Sequence, residues 1–97
     1  MGQGGFVTVV AEIDLGERDI VFGPVVESRG WAAEDERFDL QSGAASEARS
    51  AIEAELAKGG DLSDCERVAR RAVGRYVNAA TQRRPVIVPV IRSMPRS

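Results

Sequence analysis

The 97-residue sequence contains no histidine, and this absence excludes several kinds of chemistry at once. Without an imidazole the chain has no histidine base, no histidine-containing catalytic triad and no histidine metal ligand. The one cysteine, Cys65, cannot form an internal disulfide or a thiolate cluster, and this usage fits a reducing cytoplasm. A helix N-terminus could lower its pKa, but we expect Cys65 to be a small residue at the edge of the core.

Long apolar runs and phosphate-binding motifs are also missing. No stretch has the length of a membrane span, and no basic segment followed by an apolar one marks a secretory leader. No Gly-x-x-x-x-Gly-Lys sequence occurs, and the acidic run at residues 34–36 lacks the spacing of a calcium loop, so we expect a solvated loop there. The chain alone is therefore expected to be neither an enzyme nor a binder of metals or cofactors.

The net charge of −2 hides a strong polarity along the chain. Residues 1–65 carry 5 basic and 14 acidic side chains, a balance of −9, whereas residues 66–97 carry 8 basic and 1 acidic, a balance of +7. Such a division indicates complementary contact within the fold, between two copies, or with an anion such as RNA. A simply solvated charged surface explains it equally well.

Two strands are predicted at the start of the chain. Phe6 to Asp14 places apolar residues at each odd position from 7 to 13, which is the alternation of a half-buried strand. A short glycine-containing connection then leads to a second strand, Ile20 to Ser28. Gly23-Pro24 within it predicts a bend or a bulge.

Two helices are predicted in the middle of the chain. The first extends from about Ala45 to Lys58, with an apolar stripe at every fourth position, and Gly59-Gly60 ends it. The second has Ser63 as N-cap and Glu66 three residues later, in the form of a capping box, and continues to about Thr81. Gly74 lies inside this second helix at a cost of about 1 kcal/mol relative to alanine, and a close helix crossing would explain it.

The last predicted strand contains two prolines four positions apart, Pro85 and Pro89. Backbone N–H groups alternate sides along a strand, so both prolines remove donors from the same edge. Val86, Val88 and Val90 remain able to pair on the other side. This register predicts an edge strand whose outer side is a poor template for another strand.

These elements, in the order strand, strand, helix, helix, strand, predict an α+β fold and a single domain over residues 1–97. We expect a two-layer sandwich in which two helices cover one face of a three-stranded sheet. The third strand should run antiparallel to the second, beside either the second strand or, in a mixed sheet, the first. Apolar residues on the uncovered face, including Phe6, Val10 and the residues beside Gly23, would then mark a partner.

Four stretches in a fixed order resemble the C-terminal domain of ribonuclease J, a bacterial ribonuclease of the metallo-β-lactamase/β-CASP group. They are Phe6–Val10, Gly23–Trp31, the helix end Val73–Val77 and the strand Arg83–Ile91. Residues 32–47 match no motif. The tail from Arg92 onward departs from the short apolar-acidic ending of the family, which weakens the case for an interface at the extreme C-terminus.

The resemblance implies a non-catalytic accessory domain that supports the assembly and activity of a larger RNA-degrading enzyme. Zinc-dependent 5′-to-3′ exonucleolytic and endonucleolytic cleavage would belong to metallo-β-lactamase/β-CASP domains, whose metal-binding motif this chain lacks. The implied partners are those catalytic domains and further copies in a homo-oligomer. Met1 stands almost at the first strand, so we expect a domain that is either excised from such an enzyme or free-standing and acting in trans.

An alternative hypothesis is an RNA-binding module that uses arginines of the second helix. Residues 67, 71 and 75 are spaced by four and share a face, so such a row would attract phosphate without reading sequence. The predicted RNA-binding residues are Arg67, Arg70, Arg71, Arg75, Arg83 and Arg84. A solvated helix face, or neutralisation of the helix C-terminus, is the competing interpretation.

The interface hypothesis rests on four further residues, Phe6, Val10, Arg29 and Trp31. Phe6 and Val10 lie on the strand face opposite the predicted core. Tryptophan and arginine are over-represented where proteins meet, which favours Trp31 as an anchor and Arg29 as a polar contact. Closure of one end of the core by Trp31 and ordinary exposure of Arg29 are the alternatives.

Overall fold

The computed structural model describes residues 5–29 and 34–94 and has five elements in the predicted order. They are the strands β1 (Phe6–Asp14) and β2 (Asp19–Arg29), the helices α1 (Glu34–Ala57) and α2 (Leu62–Thr81), and the strand β3 (Val86–Ser93). The α+β class and the three-stranded sheet with two helices are thus confirmed. Neither helix in the described part of the chain is long and apolar enough to cross a membrane.

The sheet has the order β2-β1-β3, with β1 in the centre. β1 pairs antiparallel with β2 and parallel with β3, so the sheet is mixed and β3 runs opposite to β2. Of the two placements left open by the sequence, β3 therefore takes the one beside β1. The Val86 backbone N–H donates to the Gly5 carbonyl at 3.3 Å. The backbone N–H groups at the even positions of β3 therefore face β1. The nitrogen of Pro89 consequently faces the open edge, as the proline spacing predicts.

One face of β1 forms the floor of the core. Val7, Val9, Ala11 and Ile13 are at most 1% exposed. Two helical stripes pack on them, and both run along the predicted faces. The buried residues are Leu40, Ala44, Ala48, Ile52 and Leu56 in α1 and Cys65, Ala69, Ala72, Val73 and Val77 in α2. Both helices therefore cover the same side of the sheet.

The β1–β2 hairpin carries the predicted irregularity at Gly23-Pro24. The pairing register shifts there, because two residues of β2 lie opposite Ala11, between the pairs Val10–Val25 and Glu12–Phe22. Gly23 has a φ of +81°, and an added Cβ would lie 2.7 Å from the Val10 carbonyl oxygen, so the bulge requires glycine. The Arg49 guanidinium donates to the Gly23 carbonyl at 2.7 Å and ties α1 to the bulge.

The turn of the same hairpin is fastened to the end of α1. Arg18 has its Nε donating to the Leu56 carbonyl at 2.9 Å and its Nη2 donating to the Gly60 carbonyl at 2.6 Å. The carbonyls at a helix C-terminus lack partners within the helix, so a side chain from elsewhere can satisfy them. Gly59, with a φ of +92°, ends α1 at the predicted position.

The predicted starts of both helices were wrong. α1 begins at Glu34 rather than at Ala45, so the acidic run forms its first turn instead of a loop. In α2 the N-cap is Asp61, not Ser63: its side chain accepts from the Asp64 N–H at 2.9 Å, and the Asp64 carboxylate accepts from the Asp61 N–H at 3.1 Å. Two capping motifs overlap in this sequence, and the earlier one is used.

The close helix crossing lies at Gly43, not at Gly74. An added Cβ at Gly43 would overlap the Tyr76 side chain, from its hydroxyl oxygen to its ring. At Gly74 an added Cβ would only touch the Ile87 Cγ1 at 3.7 Å, an ordinary van der Waals distance. Gly43 therefore lets α1 approach α2 closely, whereas Gly74 faces β3 and has enough space for a Cβ atom.

Alanine substitutions at these two glycines should have opposite effects on stability. Gly74→Ala should stabilise the protein by up to about 1 kcal/mol, because alanine has the higher helix propensity and meets no overlap. Gly43→Ala should destabilise it by about 1–2 kcal/mol despite the same propensity gain, because Tyr76 must move. Urea unfolding of the two variants measures both free energies. Equal stabilisation by both substitutions would contradict the assigned crossing.

Candidate functional site

The face of the sheet turned away from the helices is largely apolar. Even positions of β1 and β3 point to it, together with the β2 residues paired with those of β1. We call this surface the open sheet face, and it comprises Phe6, Val10, Phe22, Val25, Val86, Val88 and Val90. Apart from Val10, which its neighbours half bury, these side chains are 40–65% exposed. Adjacent exposed apolar side chains of this kind make the face a candidate interaction site.

Charged residues of both signs border the open sheet face. Glu27 and Arg29 follow one another on the same side of β2, near the Phe6 end of β1. At the other end, Glu12 of β1 lies beside Arg92 of β3. The rim therefore has no block of a single charge.

The predicted interface residues are distributed unevenly over this surface. Phe6 and Val10 lie on the open sheet face, and Arg29 is exposed opposite Phe6 at the end of β2. Trp31 lies outside the described residues. The remaining five apolar residues of the face were not among the predicted interface residues. A signal existed for three of them, because the valines of β3 recur with a period of two on the strand face opposite the core.

A second surface is formed by arginines on the outer side of α2. Arg67, Arg70, Arg71 and Arg75 are all exposed, opposite the buried stripe, as predicted. Arg67 is held by Asp64, with 3.0 Å between its Nη2 and the carboxylate Oδ1. The other three make no hydrogen bond or ion pair with any described residue. We call Arg70, Arg71 and Arg75 the arginine face.

Arg83 and Arg84 were predicted to close α2 but lie beyond it. The helix ends at Thr81, and Gln82 adopts the left-handed conformation with a φ of 64°, its N–H donating to the Asn78 carbonyl. Both arginines are exposed in the connection to β3. The left-handed turn interrupts the helical spacing, so these two residues do not continue the arginine face.

Asp64 is the one carboxylate of α2 that engages both a cap and an arginine. Its pKa is lowered, chiefly because it accepts the hydrogen bond from the Asp61 backbone N–H and then because Arg67 donates to it. Both contacts favour the charged form. Arg67 is thereby partly neutralised, which distinguishes it from the arginine face.

Cys65 belongs to the core and is fully buried between the helices and the sheet. Burial raises the pKa of its thiol, and the nearby Glu55 carboxylate raises it further. A protonated, inaccessible thiol is a poor nucleophile. The expected position of Cys65 in the core is therefore confirmed.

No metal centre is formed by the part of the chain that the structure describes. It contains no group of three or more histidine, cysteine, aspartate or glutamate side chains placed to hold an ion. Because the sequence also has no histidine, these residues do not fit the zinc site that the resemblance assigns to separate catalytic domains.

A polar cleft of about 260 Å³ lies at the end of β2, lined by Glu27, Ser28, Arg29 and Gln41. The Gln41 Oε1 accepts hydrogen bonds from the Ser28 backbone N–H at 2.8 Å and from its hydroxyl at 3.1 Å. These bonds satisfy a buried serine and fasten α1 to β2. The role of this pair is structural.

Comparison with known families agrees with the resemblance that the sequence shows. A family model described as the ribonuclease J C-terminal domain matches residues 1–94. The chain belongs to the ribonuclease J C-terminal domain family. It is a small accessory domain of a hydrolase family, and RNA degradation is associated with it through that family.

The curated relatives of this ribonuclease J C-terminal domain are much longer proteins. The chain is 32% identical over 92 residues to proteins named Ribonuclease J 2 from Staphylococcus aureus strains NCTC 8325 / PS 47, MRSA252 and N315. The match covers 94% of this chain but 16% of each relative. The chain thus spans about a sixth of the length of the relatives it matches.

The lowered pKa of Asp64 predicts a pH-dependent contribution to stability. A depressed folded-state pKa stabilises the protein above the unfolded-state value, and this contribution is lost as the pH falls through the lower folded-state value. Asp64→Asn should therefore be less stable than the parent protein at pH 7, with a difference that closes as the pH falls below about 4.

Urea midpoints measured between pH 7 and pH 3 test this behaviour. Glu47→Gln on the exposed surface of α1 serves as a control, since Glu47 makes no hydrogen bond or ion pair with the described residues. A stability difference for Asp64→Asn that stays constant over this range contradicts the assigned contacts.

Proposed function

We propose that residues 1–97 form one accessory domain of a ribonuclease J-like enzyme, and that it supports association of the enzyme's subunits through the open sheet face. The observation that carries the proposal is a sheet with helices on one side and exposed β-branched and aromatic side chains on the other. Covering such a face removes apolar surface from water, which is the main favourable term in association. Cleavage of RNA is assigned to other domains of the enzyme.

The occupant of the open sheet face is a second copy of the same face. In a two-fold symmetric contact, if one residue contacts a second residue of the partner, that second residue contacts the first one of the partner in turn. The surface must therefore be complementary to itself. An apolar centre with mixed charges at both ends meets this requirement. Glu12 beside Arg92, and Glu27 near Arg29, offer each sign of charge at both ends of the face.

The mode of association follows from the sheet edges. Both outer strands contain a proline, Pro24 in β2 and Pro89 in β3, and each proline removes one backbone donor. Extension of the sheet by edge-to-edge pairing is disfavoured by such residues. Two sheets packed face to face, about 10 Å apart, bury the apolar surface without using the edges.

The size of the face limits the area that this contact can bury. Three strands about 4.8 Å apart and eight residues of about 3.3 Å each give a face of roughly 350 Å². Two copies would bury about 700 Å² by this measure, below the roughly 1,600 Å² of a standard stable interface. The isolated domain should therefore associate weakly. In the full enzyme the contact would act together with others, at a raised effective concentration.

A lysine on the apolar part of the face should disrupt association. Val88→Lys places a charge midway along β3, where a copy packed on the face would desolvate it. Light scattering behind size exclusion, over a tenfold concentration range up to hundreds of micromolar, should show dimers of the unsubstituted chain and monomers of the variant. Ala54→Lys, which adds the same charge on the exposed side of α1, should leave association unchanged.

The same substitution in a full-length ribonuclease J provides the decisive comparison. Val88→Lys at the corresponding position should shift the oligomer towards smaller species, as deletion of the domain should. An oligomer that survives both changes contradicts the assembly role. An oligomer lost on deletion but retained with the lysine assigns assembly to another surface of the domain.

A further inference from the structure

The arginine face groups three exposed arginines on one helix, and none of them has an oxygen partner among the described residues, unlike three arginines elsewhere in the protein. Arg18 is held by backbone carbonyls, Arg49 by Glu53 and by the Gly23 carbonyl, and Arg67 by Asp64. Arg70, Arg71 and Arg75 have none among the described residues, although acidic side chains outnumber basic ones in the whole sequence. The acidic groups are concentrated in residues 1–65, so a local excess of positive charge remains on α2.

The arginines follow the axis of α2. Arg71 and Arg75 are four residues apart, which places them on one side of the helix about 6 Å apart along its axis, with Arg70 beside Arg71. A guanidinium has a planar fork of donors that matches a phosphate group. A short row of such groups suits a ligand that carries repeated phosphates along a chain.

The arginine face and the open sheet face point in opposite directions. Ala72, Val73 and Val77 are buried against the sheet, so the exposed side of α2 lies on the far side of the helix layer. A copy packed on the sheet would leave the arginines in solvent. Each surface can therefore be tested without the other.

We propose that Arg70, Arg71 and Arg75 form a contact site for the phosphate backbone of single-stranded RNA. The positive charge of the arginine face favours binding of a polyanion. Because the chain belongs to a ribonuclease family, RNA is the polyanion that this domain would encounter. Tyr76, the aromatic residue of α2, is partly buried against the core and provides no stacking surface beside these arginines. The contact is therefore to phosphates and independent of base sequence.

Fluorescence anisotropy of a labelled 12-nucleotide oligouridylate, titrated with the full 97-residue chain, tests the site. For single strands, each phosphate contact changes the logarithm of affinity by about −0.7 per logarithmic unit of salt. Three contacts predict affinity about 20-fold weaker at 200 mM than at 50 mM salt. In Arg71→Gln/Arg75→Gln the same change of salt should weaken binding only about threefold.

A matched pair of substitutions separates the site from the net charge. Arg29→Gln/Arg92→Gln removes the same charge on the sheet side of the molecule and should retain the steep salt dependence. Circular dichroism should show all variants folded, because the substituted arginines are exposed and make no hydrogen bond or ion pair with the described residues. The experiment does not depend on association, so failure of the assembly proposal leaves its outcome interpretable.

Three results would overturn the proposal. One is the absence of RNA binding at 50 mM salt, and another is an equal loss of binding in both double variants. The third is tighter binding of labelled polyglutamate than of the oligouridylate, which would assign the face to an acidic protein surface instead. A salt dependence that is reduced in the Arg71→Gln/Arg75→Gln variant alone supports the site.

Discussion

Burial of one face of β1 is the interaction on which the other parts of the molecule depend. β1 is the strand that pairs with both β2 and β3, and its core-facing side chains lie under both helices. Without β1, the two outer strands would have no common pairing partner, and the helices would have no buried strand face to pack on. The small side chains of α1 and α2 then explain how two helices fit side by side over so narrow a sheet.

A single sheet with helices on one side has two different outer surfaces, and this protein gives them different chemistry. The strands present apolar side chains, whereas the second helix presents arginines. The division of charge along the chain has a structural counterpart, since the acidic part forms β1, β2 and α1 and the basic part forms nearly all of α2 and all of β3. An accessory domain built in this way can contact a protein on one side and a polyanion on the other.

Much of this architecture was predictable from local sequence. The bounds of β1, the irregularity at Gly23-Pro24 and the end of α1 depend on neighbouring residues, and each was predicted correctly. The start of α1 was missed because Gly43 reads as an interruption. It becomes understandable only when Tyr76 of α2 is packed against it. Such long-range packing overrides local propensity.

The choice of neighbour for β3 and the full extent of the open sheet face also depend on long-range contacts. Both depend on which strands pair, and one sequence with two permitted pairings does not decide between them. The N-cap of α2 was missed for a different reason, since Asp61 and Ser63 both begin an acceptable capping motif within two residues.

The parallel pairing of β1 with β3 has a consequence for how the protein folds. Phe6 pairs with Val86, 80 positions later, whereas the β1–β2 hairpin closes through a short turn. Closing a long loop costs more entropy than closing a short one, and chains dominated by distant contacts fold slowly. The hairpin can form early during synthesis, but one edge of β1 must wait unpaired until β3 has been made. The sheet is therefore completed after translation of the intervening helices, not strand by strand.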